Sequence, residues 1–365
     1  MAPTNGGLAV VGRDSKKLID TIDQLRKIGL KSVDTKLPEL VLVGDQSAGK
    51  SSLMGAIAEI NLPKGQSMCT RCPTNIKTSD AATWGCAVSL QLSYDFQPGR
   101  RAGLEFQNWT PADEVSTIPF KTIYNKAELE DVLKWAQIAL LNPREDPRCF
   151  VPGTDQHKQR AQDQENHIDQ AKFSPNVITV DISGPGLPSL SFFDLPGLFS
   201  VAENAEQQYL VGVFEKMTMK YIRHENALII CTLTMQNDPG LSKTKAVISK
   251  LKADHRCIGV LTMPDRLQSD SAHKDYDKIL KGETYVLKPH GYFVTRQPGA
   301  DTKLHGPSYH LEARKEEEVF FDTDRLWAPD GEWGDFRSRC GTVTIQKYLS
   351  KQFANLILER FVTFL

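Results

Sequence analysis

The chain lacks most of the features that would place it outside the ordinary globular class. No run of about 18 apolar residues occurs in its 365 positions, so no bilayer-spanning helix is expected. The first eleven residues lack the charged segment and apolar stretch of a secretory signal. Neither sign of charge dominates, since 44 Lys and Arg stand against 45 Asp and Glu. That balance gives no global attraction to nucleic acid or anionic lipid. Seven cysteines (Cys69, Cys72, Cys86, Cys149, Cys231, Cys257 and Cys340) follow no framework. An odd, scattered set points to reduced thiols and a cytoplasmic protein. Cys69-x-x-Cys72 has the spacing of a metal or redox pair, but no second pair lies near it, and two ordinary thiols fit better.

What is present is concentrated in one stretch. Leu40-Val41-Leu42-Val43 runs into Gly44-Asp45-Gln46-Ser47-Ala48-Gly49-Lys50-Ser51-Ser52, and the residues from Leu53 to Ile60 read as helix. Strand, G-x-x-x-x-G-K-S loop and helix in that order make a P-loop. Gly44 and Gly49 allow the backbone to turn its N–H groups toward a polyphosphate. Lys50 reaches the β- and γ-phosphates, and Ser51 is placed to ligate Mg²⁺. The plain alternative is a glycine turn with a surface lysine.

Downstream, the pattern alternates. Strands are expected at 87–94, 177–182, 190–194, 227–233, 257–261 and 292–294. Helices are expected at 126–141, 206–224, 241–252, 271–280 and 311–321. This predicts an α/β fold with a mostly parallel, doubly wound sheet and helices on both faces, with ligands at the carboxyl ends of the strands. Residues 177–194 read as a paired strand unit about Gly184-Pro185-Gly186. Residues 61–80 and 95–125 read as irregular. Residues 153–170 read as a mobile insertion, with a charged helical face as the alternative. Amphipathic helices are expected at both termini, over 15–28 and 343–365.

Three further stretches narrow the chemistry. Phe192-Phe193-Asp194-Leu195-Pro196-Gly197 ends a strand in D-x-x-G, which offers a carboxylate for Mg²⁺ and a Gly197 N–H for a γ-phosphate. Val260-Leu261-Thr262-Met263-Pro264-Asp265 ends another strand. There Asp265 is placed to accept from guanine N1–H and N2–H₂, a donor pair adenine lacks, with Thr262 beside it. A helix-capping Asp after Pro is the alternative. Thr70, in the loop between P-loop and D-x-x-G, is positioned as the second hydroxyl ligand of Mg²⁺ and as a γ-phosphate sensor.

Together with Leu37-Pro38-Glu39-Leu40, Leu62-Pro63-Lys64-Gly65 and Cys69-Thr70-Arg71, these motifs resemble the dynamin superfamily of large GTPases, and among them fungal members of the dynamin and Mx branches. The resemblance implies a domain over 37–340 that hydrolyses GTP to GDP, flanked by bundle helices in 1–36 and 341–365, with stalk and effector domain absent. It implies that Gln46 orients the attacking water, because Leu198 stands where Ras-like proteins carry a glutamine. It also implies that Ser47 and switch I carbonyls seat a monovalent cation, K⁺ or Na⁺, in place of an arginine finger. Gly65-Gln66-Ser67 stands where the family usually has Gly-x-Gly, and Met263 where it usually has lysine. The base-contacting loop aligns with Arg296 and Gln297. Asp238 aligns with an aspartate that reaches across a nucleotide-dependent homodimer, although plain turn chemistry also accounts for it. Contacts to membrane or microtubules would come only through absent modules, and a nucleotide-gated scaffold with little hydrolysis is the alternative function.

Overall fold

The structure is a computed structural model that describes residues 39–60, 62, 70–99, 103–162, 170–185, 187, 190–202, 204–267, 270–299, 302, 304, 306 and 308–362. The expected helix over 15–28 and the Gly65-Gln66-Ser67 segment lie outside them. Among the described residues, nine strands form one sheet: β1 (Glu39–Gly44), β2 (Thr74–Asp80), β3 (Gly85–Phe96), β4 (Trp109–Ile123), β5 (Val177–Gly184), β6 (Leu190–Asp194), β7 (Ala227–Thr234), β8 (Cys257–Thr262) and β9 (Tyr292–Thr295). Their order is β4-β3-β5-β2-β6-β1-β7-β8-β9.

From β6 through β1, β7 and β8 to β9 every pairing is parallel. All five carboxyl ends therefore lie along one edge, and it is there that the sequence motifs end their strands. β2 enters antiparallel to β6 and parallel to β5, and β3 and β4 continue antiparallel. The expected pairing of 177–182 with 190–194 is thus corrected. β2 lies between β5 and β6, so the Gly-Pro-Gly turn does not close a hairpin. Residues 74–80 and 109–123, expected to be irregular, are strands.

Helices cover both faces. α1 (Lys50–Ala58), α2 (Leu129–Leu141), α3 (Asp155–Gln162), α4 (Tyr209–Ile222), α5 (Lys243–Lys250), α6 (Asp270–Leu280), α7 (Tyr309–Thr323) and α8 (Thr342–Val362) follow in order. Alternation along β1 divides the core. Leu40 and Leu42 join Leu53 and Met54 of α1, Val132 and Ala136 of α2, and Ile345, Leu349 and Phe353 of α8. Val41 and Val43 face Val213 and Met217 of α4, Val247 and Ile248 of α5, and Tyr276 of α6. α3 replaces part of the expected mobile insertion. It starts where Thr154 Oγ1 accepts the His157 N–H at 3.2 Å, as an N-cap does. Among the described residues, no helix is long and apolar enough to cross a membrane, and all six described cysteines are free.

Candidate nucleotide-binding site

The P-loop is shaped by close packing. Gly49 takes φ +79 at the N-cap of α1, a left-handed conformation that glycine adopts at little cost. At Gly44 an added Cβ would lie 2.0 Å from Thr232 Oγ1, so no other residue fits without moving β7. Four hydrogen bonds fix the loop. Thr262 Oγ1 donates to Ala48 O at 2.9 Å. Asp45 Oδ1 accepts from Thr244 N at 3.0 Å and from Thr244 Oγ1 at 2.8 Å. Gln46 N donates to Leu198 O at 2.7 Å. The side chains of Asp45 and of Thr262, the latter expected to read guanine beside Asp265, thus bond within the protein and hold the P-loop in place. Gln46 and Ser47 are exposed on the loop crest, with Ser47 at φ 60.

Lys50 is buried, and its Nζ donates to Gly44 O at 3.1 Å and Asp45 O at 2.9 Å. A Cβ on Gly197 would lie 2.8 Å from that ammonium and 2.9 Å from Gln46 Cα. The glycine therefore brings the D-x-x-G turn against the lysine, where both would meet a terminal phosphate.

Ser51, Thr70 and Asp194 line one small cavity with Thr74 and Gln137. Ser51 Oγ donates to Asp194 Oδ2 at 3.1 Å, while the buried Oδ1 has no hydrogen-bond partner. Burial raises the Asp194 carboxyl from 3.8 to about 6, although nearby Lys50 and the Ser51 hydroxyl act to lower it. A buried carboxylate oxygen without a donor, flanked by two hydroxyls, fits a hard divalent cation. Among the described residues no three His, Cys, Asp or Glu converge, so hydroxyls must complete any such set.

Thr70 is held from its C-terminal side. The next residue, Arg71, donates its N–H to Gln137 Oε1 at 3.0 Å and accepts from Ser174 N at 3.1 Å. Neither Gln137 nor Thr244 belongs to a motif, and local sequence carries no signal for them. Their contacts arise from tertiary packing.

At the base end, Asp265 is exposed and lies 3.7 Å from Arg296 Nε. Arg296 N donates to Glu317 Oε1 at 2.8 Å, and Gln297 Nε2 donates to Thr342 Oγ1 at 2.7 Å. The structure thus brings Asp265 and Arg296 together and turns Gln297 toward α8. Met263 sits at φ 55, its sulfur accepting from Thr234 Oγ1 at 3.5 Å. Asp238 Oδ1 accepts from Gly240 N at 2.6 Å, which is turn chemistry.

A P-loop at the centre of a parallel sheet, with a D-x-x-G carboxylate on one flank and an aspartate on the strand-end loop opposite, defines a P-loop GTPase domain. More narrowly, the chain belongs to the dynamin family, whose family model matches residues 40–264. It is similar to the interferon-induced GTP-binding protein Mx of Solea senegalensis, 26% identical over 309 residues that cover 83% of this chain and 40% of that protein. The interferon-induced GTP-binding protein Mx2 of Bos taurus is 26% identical over 306 residues, 84% of this chain and 35% of that protein. That named Mx from Perca fluviatilis is 26% identical over 305 residues, 83% of this chain and 84% of that protein. The chain spans less than half the length of the first two relatives. It carries a dynamin-family GTPase domain.

Proposed function

We propose that this domain hydrolyses GTP to GDP and phosphate and, with nucleotide bound, pairs with a second copy of itself. The observation that carries the proposal is the meeting of Lys50, Ser51, Thr70 and Asp194 at the end of the parallel strands. Backbone N–H groups of residues 46–51 cradle the phosphates. Lys50 leaves its carbonyl partners for the β- and γ-oxygens. Ser51, Thr70 and Asp194 would hold Mg²⁺, which when bound supplies positive charge to the β- and γ-phosphates. Gln46 orients the attacking water, and Ser47 helps seat a monovalent cation. Leu198 is buried and apolar and takes no part in positioning water. Asp265 accepts from guanine, with Arg296 keeping its carboxylate in place.

Pairing is supported by the shape of the P-loop's outer side. A cleft of about 230 Å³ runs there between Gln46, Phe199 and the 237–242 loop, bordered by exposed Leu241. In the whole protein, cytoplasmic turnover would serve membrane remodelling or organelle division. A second reading, a GTP-gated scaffold, draws support from Met263, which offers no ammonium to the nucleotide. Phosphate release with and without potassium separates the two. Lys50→Ala is expected to abolish release, and unchanged hydrolysis in that variant overturns the assignment.

A further inference from the structure

Glu317 is a carboxylate where burial alone would place none. It lies on α7 at 4% exposure, and burial pushes its carboxyl up, opposed chiefly by two backbone N–H donors. Those donors belong to segments far apart in sequence. Oε1 accepts from Arg296 N at 2.8 Å and Oε2 from Thr342 N at 2.7 Å. The first is the residue following β9, where an edge strand offers its next N–H no further ladder partner. The second is the opening residue of α8, whose N-terminus favours negative charge.

The surroundings hold this arrangement. Gly341, at φ +94, donates its N–H to Val294 O at 2.8 Å and so sets the start of α8 against the end of β9. Thr342 Oγ1 accepts from Gln297 Nε2 at 2.7 Å. One turn further, Gln346 Nε2 donates to Ile57 O at 2.9 Å, tying α8 to the last turn of the P-loop helix. Arg314, the nearby cation, is engaged with Glu59 at 2.8 Å and Gln346 at 3.1 Å. On the other side, the Arg296 guanidinium lies 3.7 Å from Asp265 and 3.8 Å from Glu316.

We propose that Glu317 is a positioning residue for guanine: by clamping the backbone of Arg296 to the head of α8, it fixes the guanidinium that orients Asp265. The proposal rests on the reading of Asp265 as the base acceptor. Glu317 touches neither nucleotide nor metal. Its two acceptor oxygens serve two N–H groups, and glutamine, with one acceptor and one NH₂, must break one of the bonds.

Fluorescent GDP and ADP binding to the full chain, with steady-state GTP kinetics, tests this. Glu317→Gln is expected to weaken GDP about tenfold, the weight of one hydrogen bond to a charged group, and to leave ADP unchanged. KM for GTP should rise by about the same factor, with kcat within about twofold. Equal loss of GDP and ADP binding, or a fall confined to kcat, overturns the proposal. Asp265→Ala separates it from the reading beneath. If Asp265→Ala loses the guanine preference and Glu317→Gln keeps it, the clamp alone is refuted. If Asp265→Ala keeps the preference, the base site is misassigned and the clamp falls with it. Should Glu317→Gln not fold, Thr342→Val replaces it. That change deletes the hydroxyl that bonds the Glu317 carboxylate while Gln297 holds it, and so loosens the clamp at the head of α8 while the backbone N–H stays. It must weaken GDP against ADP in the same sense, and unchanged discrimination overturns the proposal.

Discussion

Asp194 shows burial and function opposed in one side chain. Its carboxyl is raised from 3.8 to about 6 by desolvation, so the folded state holds the proton more tightly than the unfolded chain does. For an acid raised in this way, stability is greatest below about pH 4 and falls as pH climbs toward 6. The gap between 3.8 and about 6 corresponds to about 3 kcal/mol lost above pH 6 in the metal-free protein. Asp194→Asn removes that penalty. Thermal melts in chelator should show the variant more stable than wild type at pH 7.5 and similar to it at pH 4. Divalent cation should stabilise wild type alone, because the variant lacks the ionised ligand. A variant melting below wild type at pH 7.5 in chelator would refute this account.

Among the elements, α8 separates what position in sequence suggests from what packing decides. Ile345, Leu349 and Phe353 recur at steps of four and fit a helix that awaits bundle partners. In the fold they lie at 0%, 1% and 2% exposure in the same core as α1 and α2. The opening turns of this helix are therefore packed into the core beneath the sheet. Phe353→Ala should cost the domain about 3–5 kcal/mol, as large-to-small changes in cores do; a chemical-denaturation midpoint close to wild type would show the helix to be peripheral.

Other elements were legible to different degrees. β1, β6 and β8 announce themselves as apolar runs ending in motifs and β7 as an apolar run alone, because a parallel strand covered on both faces needs little else. β2, with Lys77, Ser79 and Asp80 toward solvent, owes its place to pairing with β5 and β6 rather than to its own composition. β4 carries Pro111 and Pro119, which exclude a central strand and are tolerated at an edge. Of the candidate site, Lys50, Ser51, Thr70 and Asp194, which the fold brings together, could be picked out from motif spacing. The second layer, Thr232, Thr244, Gln137 and Glu317, could not, since each acts on a partner distant in sequence.

For the whole molecule, the sheet sets the candidate nucleotide site along one edge and, among the described residues, leaves Gln46 and Ser47 of the P-loop exposed. If two such domains meet there, specific turnover should rise with protein concentration and level off once the pair is saturated. A specific activity constant from nanomolar to micromolar protein would refute pairing. The attachment of Arg71 to Gln137 and Ser174 bears on how such an edge responds to its ligand. Because the chain is anchored one residue beyond Thr70, displacement of Thr70 cannot travel forward into β2 without breaking those bonds. Thr70 is thus tethered on its C-terminal side, at the cavity that it lines with Ser51 and Asp194.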